Sequence, residues 1–273
     1  MRFLPDSYYS TLAAAHSESP FLSPVKSSHY VNDVAMWLQA AGGDTVLAEV
    51  GPGYGEIAVR ISMLLERHSI FWAIDICPEF LAHVARRWDG HPSQLRTLTL
   101  DITQTPPQEV CLLRRRVDRL VAINVVQDTD LLTTLTLFSR WLRPGGYLWV
   151  TILAKETMDL YYSQHPLYDK TQGWYYKPAT AGVQLGKRST GRGDIGYDRI
   201  LRFYTQGEAQ DALALSNYVI MRQRNIAFPA SIMSSRWKEM GTREFFRDGI
   251  VEALECAGTY VDSYEFVAQC IIA

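Results

Sequence analysis

The chain has 273 residues, 47% of them hydrophobic and 21% charged, with a formal net charge of -2. A chain of this size buries roughly 70–75% of the surface of its extended form, which suits one large domain with insertions. The charge creates no field for a polyanion, so neither nucleic acid nor an acidic membrane is expected as a partner, and Arg114-Arg115-Arg116 and Gly186-Lys187-Arg188 read as solvated faces. The four cysteines (Cys77, Cys111, Cys256, Cys270) lie far apart without a CxxC pair, and the six histidines lack HExxH or HxH spacing. They read as free thiols in a reducing compartment, with no metal centre. MRFLPDSYYS has no apolar core for a signal peptide, and no run reaches about 18 apolar residues, so the expectation is a soluble cytoplasmic protein.

Residues 1–44 are rich in Ser, Pro and aromatics and form an expected N-terminal arm or cap, ending in a helix over about Ser28 to Ala41. From 45 to 153 short β-rich runs alternate with helical patterns. TVLAEV (Thr45–Val50) is the first predicted strand, followed by helical spacing of Ile57, Ala58, Ile61, Leu64 and Leu65. IFWAID (Ile70–Asp75) is the second, and Pro78 opens a helix where its missing N–H costs nothing. TLTLD (Thr97–Asp101) and RLVAINV (Arg119–Val125) are the third and fourth. A helix over Asp128 to Trp141 then ends at RPGG before YLWVTI (Tyr147–Ile152). Apolar strands separated by helices predict a parallel sheet covered on both faces, with its ligand beyond the carboxyl ends of the strands.

Residues 154–202 carry no strong period but many aromatics: Tyr161, Tyr162, Tyr168, Trp174, Tyr175, Tyr176 and Tyr197. Such a stretch predicts a lid over a binding site. Residues 203–273 read as helix, a stop at Asn217, a strand, a helical insertion over 229–258, and a buried closing strand EFVAQCIIA.

The decisive local feature is LAEVGPGYGEIAV, Leu47 to Val59. A dinucleotide fingerprint, counted from Gly51, wants a third small residue where Glu56 stands, and no Gly-Lys-Ser/Thr follows to make a P-loop. The residues spell E-x-G-x-G-x-G: Glu49, Gly51, Gly53, Gly55. This resembles the first motif of class I S-adenosylmethionine-dependent methyltransferases of the small-molecule type. The resemblance implies a Rossmann-like doubly wound α/β fold. Its seven-stranded, mostly parallel sheet would have an antiparallel last strand, here with the N-terminal arm and helical or aromatic lid insertions added. It also implies S-adenosyl-L-methionine as cofactor. Asp75 then stands where the family holds both ribose hydroxyls, with Ile76 beside it; Asp101 and Ile102 stand where it holds adenine, and Asn124 where the methionine end lies. RWLRPGGYLWV matches the family's turn into the fifth strand, whereas Asn217-Tyr218 replaces the more frequent Gly-Phe. The resemblance covers roughly residues 44–153 well, the C-terminal part loosely and the N-terminal arm hardly at all. Taken singly, Asp75 reads as a cap for the helix begun at Pro78, and Asp101 as a loop residue. Found together in order at strand ends, they support the cofactor.

A sulfonium is already activated, so alignment of the acceptor and exclusion of water carry most of the effect, and no covalent nucleophile is required. NPPY and DPPY are absent, which argues against a nucleobase or amide-nitrogen acceptor. The expected partner is a small-molecule substrate; a homodimer is compatible with the sequence. Tyr175 and Tyr176 are the leading catalytic candidates, with Trp174 beside them and with Tyr30, His29 and His165 next, although most aromatics here read as lid packing. Aromatic faces can hold a sulfonium or ammonium. Three activities stay open: methyl transfer to a small metabolite; cyclisation of the cofactor with release of methylthioadenosine, as in azetidine-2-carboxylate synthases, which an aromatic box at Trp174–Tyr176 would suit; and cofactor binding without catalysis.

Overall fold

The computed structural model describes residues 24–91, 94–104, 111–162, 165–178, 186–190, 193–229 and 259–271. Helix α1 (Pro24–Gln39) precedes strand β1 (Val46–Val50), followed by α2 (Glu56–Ser62), β2 (Ile70–Asp75), α3 (Pro78–Arg87), β3 (Leu95–Thr99) and β4 (Val117–Ala122). A short 3-10 turn (Val126–Asp128) leads to α4 (Leu131–Trp141), β5 (Leu142–Leu153) and α5 (Lys155–Tyr162). Four short strands follow: β6 (Tyr168–Asp169), β7 (Trp174–Pro178), β8 (Gly186–Thr190) and β9 (Gly193–Arg202). The described chain closes with α6 (Gln206–Leu215), β10 (Tyr218–Pro229) and β11 (Thr259–Cys270).

Seven strands form one sheet in the order β10-β11-β5-β4-β1-β2-β3. Strands β1 to β5 pair in parallel, and β11 runs antiparallel to both β5 and β10. This is the expected doubly wound sheet with an antiparallel last strand. Side-chain alternation along each strand separates two cores. Ala48, Val50, Leu120, Ala122, Leu148, Val150, Phe266 and Ala268 face Leu135, Phe138 and Trp141 of α4 and Ala209 and Leu213 of α6. Their neighbours Leu47, Val121, Trp149 and Val267 face Val34 and Leu38 of α1, Ile57 and Ile61 of α2, and Leu81 and Val84 of α3. Strands buried on both faces explain why the sequence reads as continuous apolar runs.

Several local features follow the expected chemistry. Pro78 opens α3, and Asp130 caps α4 by accepting from the Thr133 N–H at 2.9 Å. Asn217 takes a left-handed φ of 64° between α6 and β10. Boundaries move: the predicted helix over Asp128 to Trp141 begins only at Leu131, because Val126–Asp128 forms the 3-10 turn.

The lid differs from its expectation. Residues 154–202, read as lacking a period, hold α5 and a four-stranded antiparallel sheet of order β6-β7-β9-β8. Its strands are as short as two residues, and aromatic and charged residues stand on both faces, so the period of two is hidden in the sequence. The expected helical insertion over 229–258 and the arm before residue 24 lie almost wholly outside the described residues; only Pro229, which ends β10, is described.

Candidate functional site

The sheet's parallel register brings the acidic residues to one edge. Val50 pairs with Ile74 and with Ala122, and Asp75 pairs with Thr99. Gly51, Asp75, Asp101 and Asn124 therefore all stand at the carboxyl ends of adjacent strands, where a doubly wound fold binds its ligand. The connection β1-to-α2 is tied in place by the Gly51 N–H donating to Ile74 O at 2.8 Å.

The three glycines of this turn have different physical reasons. All take positive φ (67°, 54° and 79° at Gly51, Gly53 and Gly55). A Cβ on Gly51 would lie 2.4 Å from Val125 Cγ2, and one on Gly55 would lie 2.8 Å from Val84 Cγ2, so both permit close packing. Gly53 meets nothing within 4 Å, which leaves the middle of the loop open to a ligand. Tyr54 points the other way. Its buried ring packs edge-on against Phe80 and His83, and Arg87 Nη1 donates to its carbonyl at 2.7 Å, pinning the loop to α3.

Glu49 is buried, and among the described residues its Oε2 has no hydrogen-bond partner. Burial, reinforced by the nearby negative charges of Glu56 and Asp75, pushes its carboxyl up to about 8. Asp75 is buried too and rises to about 6 through the same desolvation, opposed by backbone N–H groups of Cys77, Gly53 and Ile76. Its Oδ1 accepts from the Cys77 N–H at 2.9 Å and so shapes the turn before α3, but the N-cap of that helix is Cys77 and no side chain caps it, so Asp75 is not the helix cap of its plain reading. Asp101 likewise organises its own turn. Its Oδ1 accepts from the Thr103 N–H and hydroxyl, and its Oδ2 from Gln104 Nε2 at 3.0 Å. Ile102 is buried in the core beside it. Asn124 has a left-handed φ of 56° and donates its N–H to Thr151 Oγ1 at 2.9 Å, while its carbonyl accepts from Gln127 Nε2. Two buried acids whose carboxyls are pushed up by desolvation, with Glu49 Oε2 unpartnered among the described residues while a backbone N–H of Ala58 serves the same carboxylate, could accept from a ligand with cationic or hydroxyl donors.

The catalytic candidates are not all brought together. Strand pairing sets Tyr175 on one face of the lid sheet with Tyr168 and Leu201, and Trp174 and Tyr176 on the other with Arg202 and Ile200. The expected single aromatic box at Trp174–Tyr176 is thus split by the two-residue period of β7. Tyr176 packs against Tyr197 at 4.9 Å and beneath the Arg188 guanidinium at 4.2 Å. Tyr175 lies 5.7 Å from the His165 ring, and burial pushes its hydroxyl up to about 12, so it stays neutral. His165 Nδ1 accepts from the Leu167 N–H at 3.1 Å, which leaves its proton on Nε2. His29 and Tyr30 fall within α1, where only their backbone is described.

Sequence reasoning missed the contacts that join the lid to this edge. Arg199 of β9 makes a two-pronged ion pair with Asp128, through Nε at 2.5 Å and through Nη2, and both side chains are largely buried. Arg202 approaches Asp130 at 3.7 Å and lies over the Tyr204 ring at 4.6 Å. Tyr204 in turn bridges to Ala154 at the end of β5. These are partners about 71 residues apart, and nothing local marks them.

Against known proteins, residues 48–150 match the model of the methyltransferase domain family. Those residues are similar to a methyltransferase domain, and the sheet that contains them has the fold of the class I S-adenosylmethionine-dependent methyltransferases. The chain is also 32% identical over 118 residues to a hybrid PKS-NRPS synthetase of Aspergillus flavus, a match that spans 42% of this chain and 3% of that relative. Among solved structures, a putative methyltransferase in complex with the Trm112 activator of Haloferax volcanii aligns with a TM-score of 0.60 at 13% identity, covering 98% of each chain. The [4+2]-cyclase SpnF aligns at 0.56 and 15% identity, over 98% of this chain and 94% of that one. Geranyl diphosphate C-methyltransferase of Streptomyces coelicolor, bound to geranyl diphosphate and S-adenosyl-L-homocysteine, aligns at 0.51 and 13%, over 87% and 80%. At these identities the structural likeness speaks for the methyltransferase fold alone. Among the described residues, no helix is long and apolar enough to cross a membrane, and no group of three or more His, Cys, Asp and Glu could hold a metal.

Proposed function

We propose that the protein transfers a methyl group from S-adenosyl-L-methionine to a small metabolite held between the carboxyl edge of the main sheet and the lid sheet. The observation that carries this reading is the pairing of the open Gly53 turn with the buried acids Glu49 and Asp75 within the matched methyltransferase domain. The residues fit the cofactor. Asp75 would take the ribose hydroxyls, Asp101 with Ile102 the adenine, and Asn124 the methionine end. Glu49, neutral in the ligand-free chain, would give up its proton beside the cationic groups and supply negative charge there. Bound there, the cofactor supplies an activated methyl group on a sulfonium. The chain's own task is to align the acceptor and exclude water, through the lid sheet latched by Asp128 and Arg199.

The stretch shared with a hybrid PKS-NRPS synthetase supports an acceptor built by polyketide or peptide assembly, rich in carbonyl oxygens. Strand β7 puts Tyr175 on the face opposite Trp174 and Tyr176, so the three do not form one box for cofactor cyclisation, which supports an external acceptor. Incubation of the full chain with the cofactor, with and without a panel of β-keto thioesters and carboxylic acids, tests the reading. The expected product is S-adenosylhomocysteine that accumulates only when an acceptor is present. Methylthioadenosine formed without any acceptor would overturn methyl transfer in favour of cyclisation, and binding without turnover across the panel would favour a non-catalytic role.

A further inference from the structure

Among the described residues, two buried N–H donors on the lid have no acceptor: Trp174 Nε1 and Arg202 Nε. They are directly opposed partners across β7 and β9, so both side chains leave the same face of the lid sheet. Unmade hydrogen bonds of this kind are rare in native proteins, because the donors lose water and gain nothing in return. Finding two side by side marks a place shaped for an oxygen. The charge agrees. Among the described residues the carboxylate paired with Arg202 is Asp130, whose Oδ2 stands 3.7 Å from Nη1, outside hydrogen-bond range, while Asp130 Oδ1 already caps α4. The Arg202 side chain keeps 27% of its surface exposed, so a ligand can approach it.

The position is also suitable. Arg202 lies over Tyr204, whose hydroxyl accepts from the Leu131 N–H at 3.3 Å and donates to Thr129 O at 3.5 Å. The Tyr204 N–H donates to Leu153 O at 3.0 Å, and its carbonyl accepts from Lys155 at 2.8 Å. The donor pair therefore sits where the connections leaving β4 and β5 part, on the same sheet edge as Asn124.

We infer that Trp174 Nε1–H and the Arg202 guanidinium form a subsite for an anionic oxygen of the methyl acceptor, a carboxylate or an enolate oxygen. This rests on the methyl-transfer reading for the identity of its ligand. Tyr204 is the positioning residue, since it holds the guanidinium plane beside Trp174. An oxygen bound within reach of both receives two donors, one of them charged, which is stronger than either alone. A neutral hydrocarbon acceptor would leave both donors buried and unmade.

Protein labelled with 15N at its tryptophan indoles tests the subsite directly, with S-adenosylhomocysteine present and the Trp174 signal identified by its loss in Trp174→Phe. Titration with sodium acetoacetate should move that signal downfield and saturate, whereas sodium chloride at equal ionic strength should not. Acetate alone isolates the carboxylate, and acetylacetone the enolate. Arg202→Gln should weaken the titration about 10- to 100-fold. Arg202→Lys, which keeps the charge but loses the planar Nε–H, should give a smaller loss. An unmoved Trp174 signal, an equal response to chloride, or an unchanged titration in both Arg202 variants would overturn the inference. Calorimetry of S-adenosylhomocysteine on the same samples separates the two readings. Its failure to bind wild-type protein would contradict methyl transfer while leaving the anion titration to stand or fall by itself.

Discussion

The cofactor edge and the lid are built by opposite means. Around Glu49, Asp75 and Asp101, each functional group is placed by its own strand end and the few residues after it. The parallel register then brings the ends together. The lid sheet is short-stranded, and its attachment depends on single long-range contacts such as Arg199 with Asp128 and Arg202 with Asp130. Burying one ionic pair concentrates in two side chains what the core spreads over dozens of apolar ones. Loss of one partner at the latch should therefore tell more on the lid than loss of one apolar contact tells on the core.

The largest expected effect breaks that contrast at its latch. Asp128→Ala strands the Arg199 charge in a largely buried position, at a cost of about 3–5 kcal/mol. Hydrogen exchange should then speed up over β6, β7 and β9 while protection in β1, β4 and β5 stays as it was. Equal loss in both regions would show that lid and core unfold as one unit. Replacing both partners, Asp128→Leu with Arg199→Met, should recover most of the stability, since no charge is left unpaired.

A smaller effect belongs to the core edge. Glu49 is protonated in the native state up to about pH 8, against the ordinary carboxylate value of 4.5 when unfolded. Between those values the native state binds one more proton than the unfolded chain, so ligand-free stability falls as pH rises, by roughly 1.4 kcal/mol per unit. Asp75 adds to the slope up to about pH 6. Denaturant melts at pH 5, 6.5 and 8 should show this decline. Glu49→Gln should flatten it above pH 6, and a slope unchanged by that substitution would assign it to other groups.

The smallest effect lies at the junction where the chain leaves the lid and returns to the core. Thr205 and Glu208 form a reciprocal capping box at the start of α6. Thr205→Ala should cost about 1 kcal/mol in global stability without changing lid exchange. A selective loss in the lid would mean that this helix start belongs to the lid rather than the core.

The same contrast decides what could be read from the sequence. Order of elements, the sheet class, the left-handed stop at Asn217 and the clustering of acids at strand ends were legible, because each follows from local period or spacing. The lid sheet was not. Its strand β6 has two residues, and the aromatic run Trp174-Tyr175-Tyr176 reads as one cluster although the pleat sends its middle member to the opposite face. Asp128, Arg199 and Arg202 gave no signal at all, since ion pairs between distant segments leave no periodic trace. Gly53 shows the intermediate case. Its type and position were plain in the motif, but only the empty space around its missing Cβ separates it from Gly51 and Gly55, which pack.

Equilibrium binding of S-adenosylhomocysteine to wild type and to Asp75→Ala tests the central claim most directly. The account predicts one site per chain in the wild type and a loss of about 1–3 kcal/mol in the variant, roughly 5- to 150-fold in affinity. No binding to the wild type, or an affinity untouched by Asp75→Ala, would contradict it.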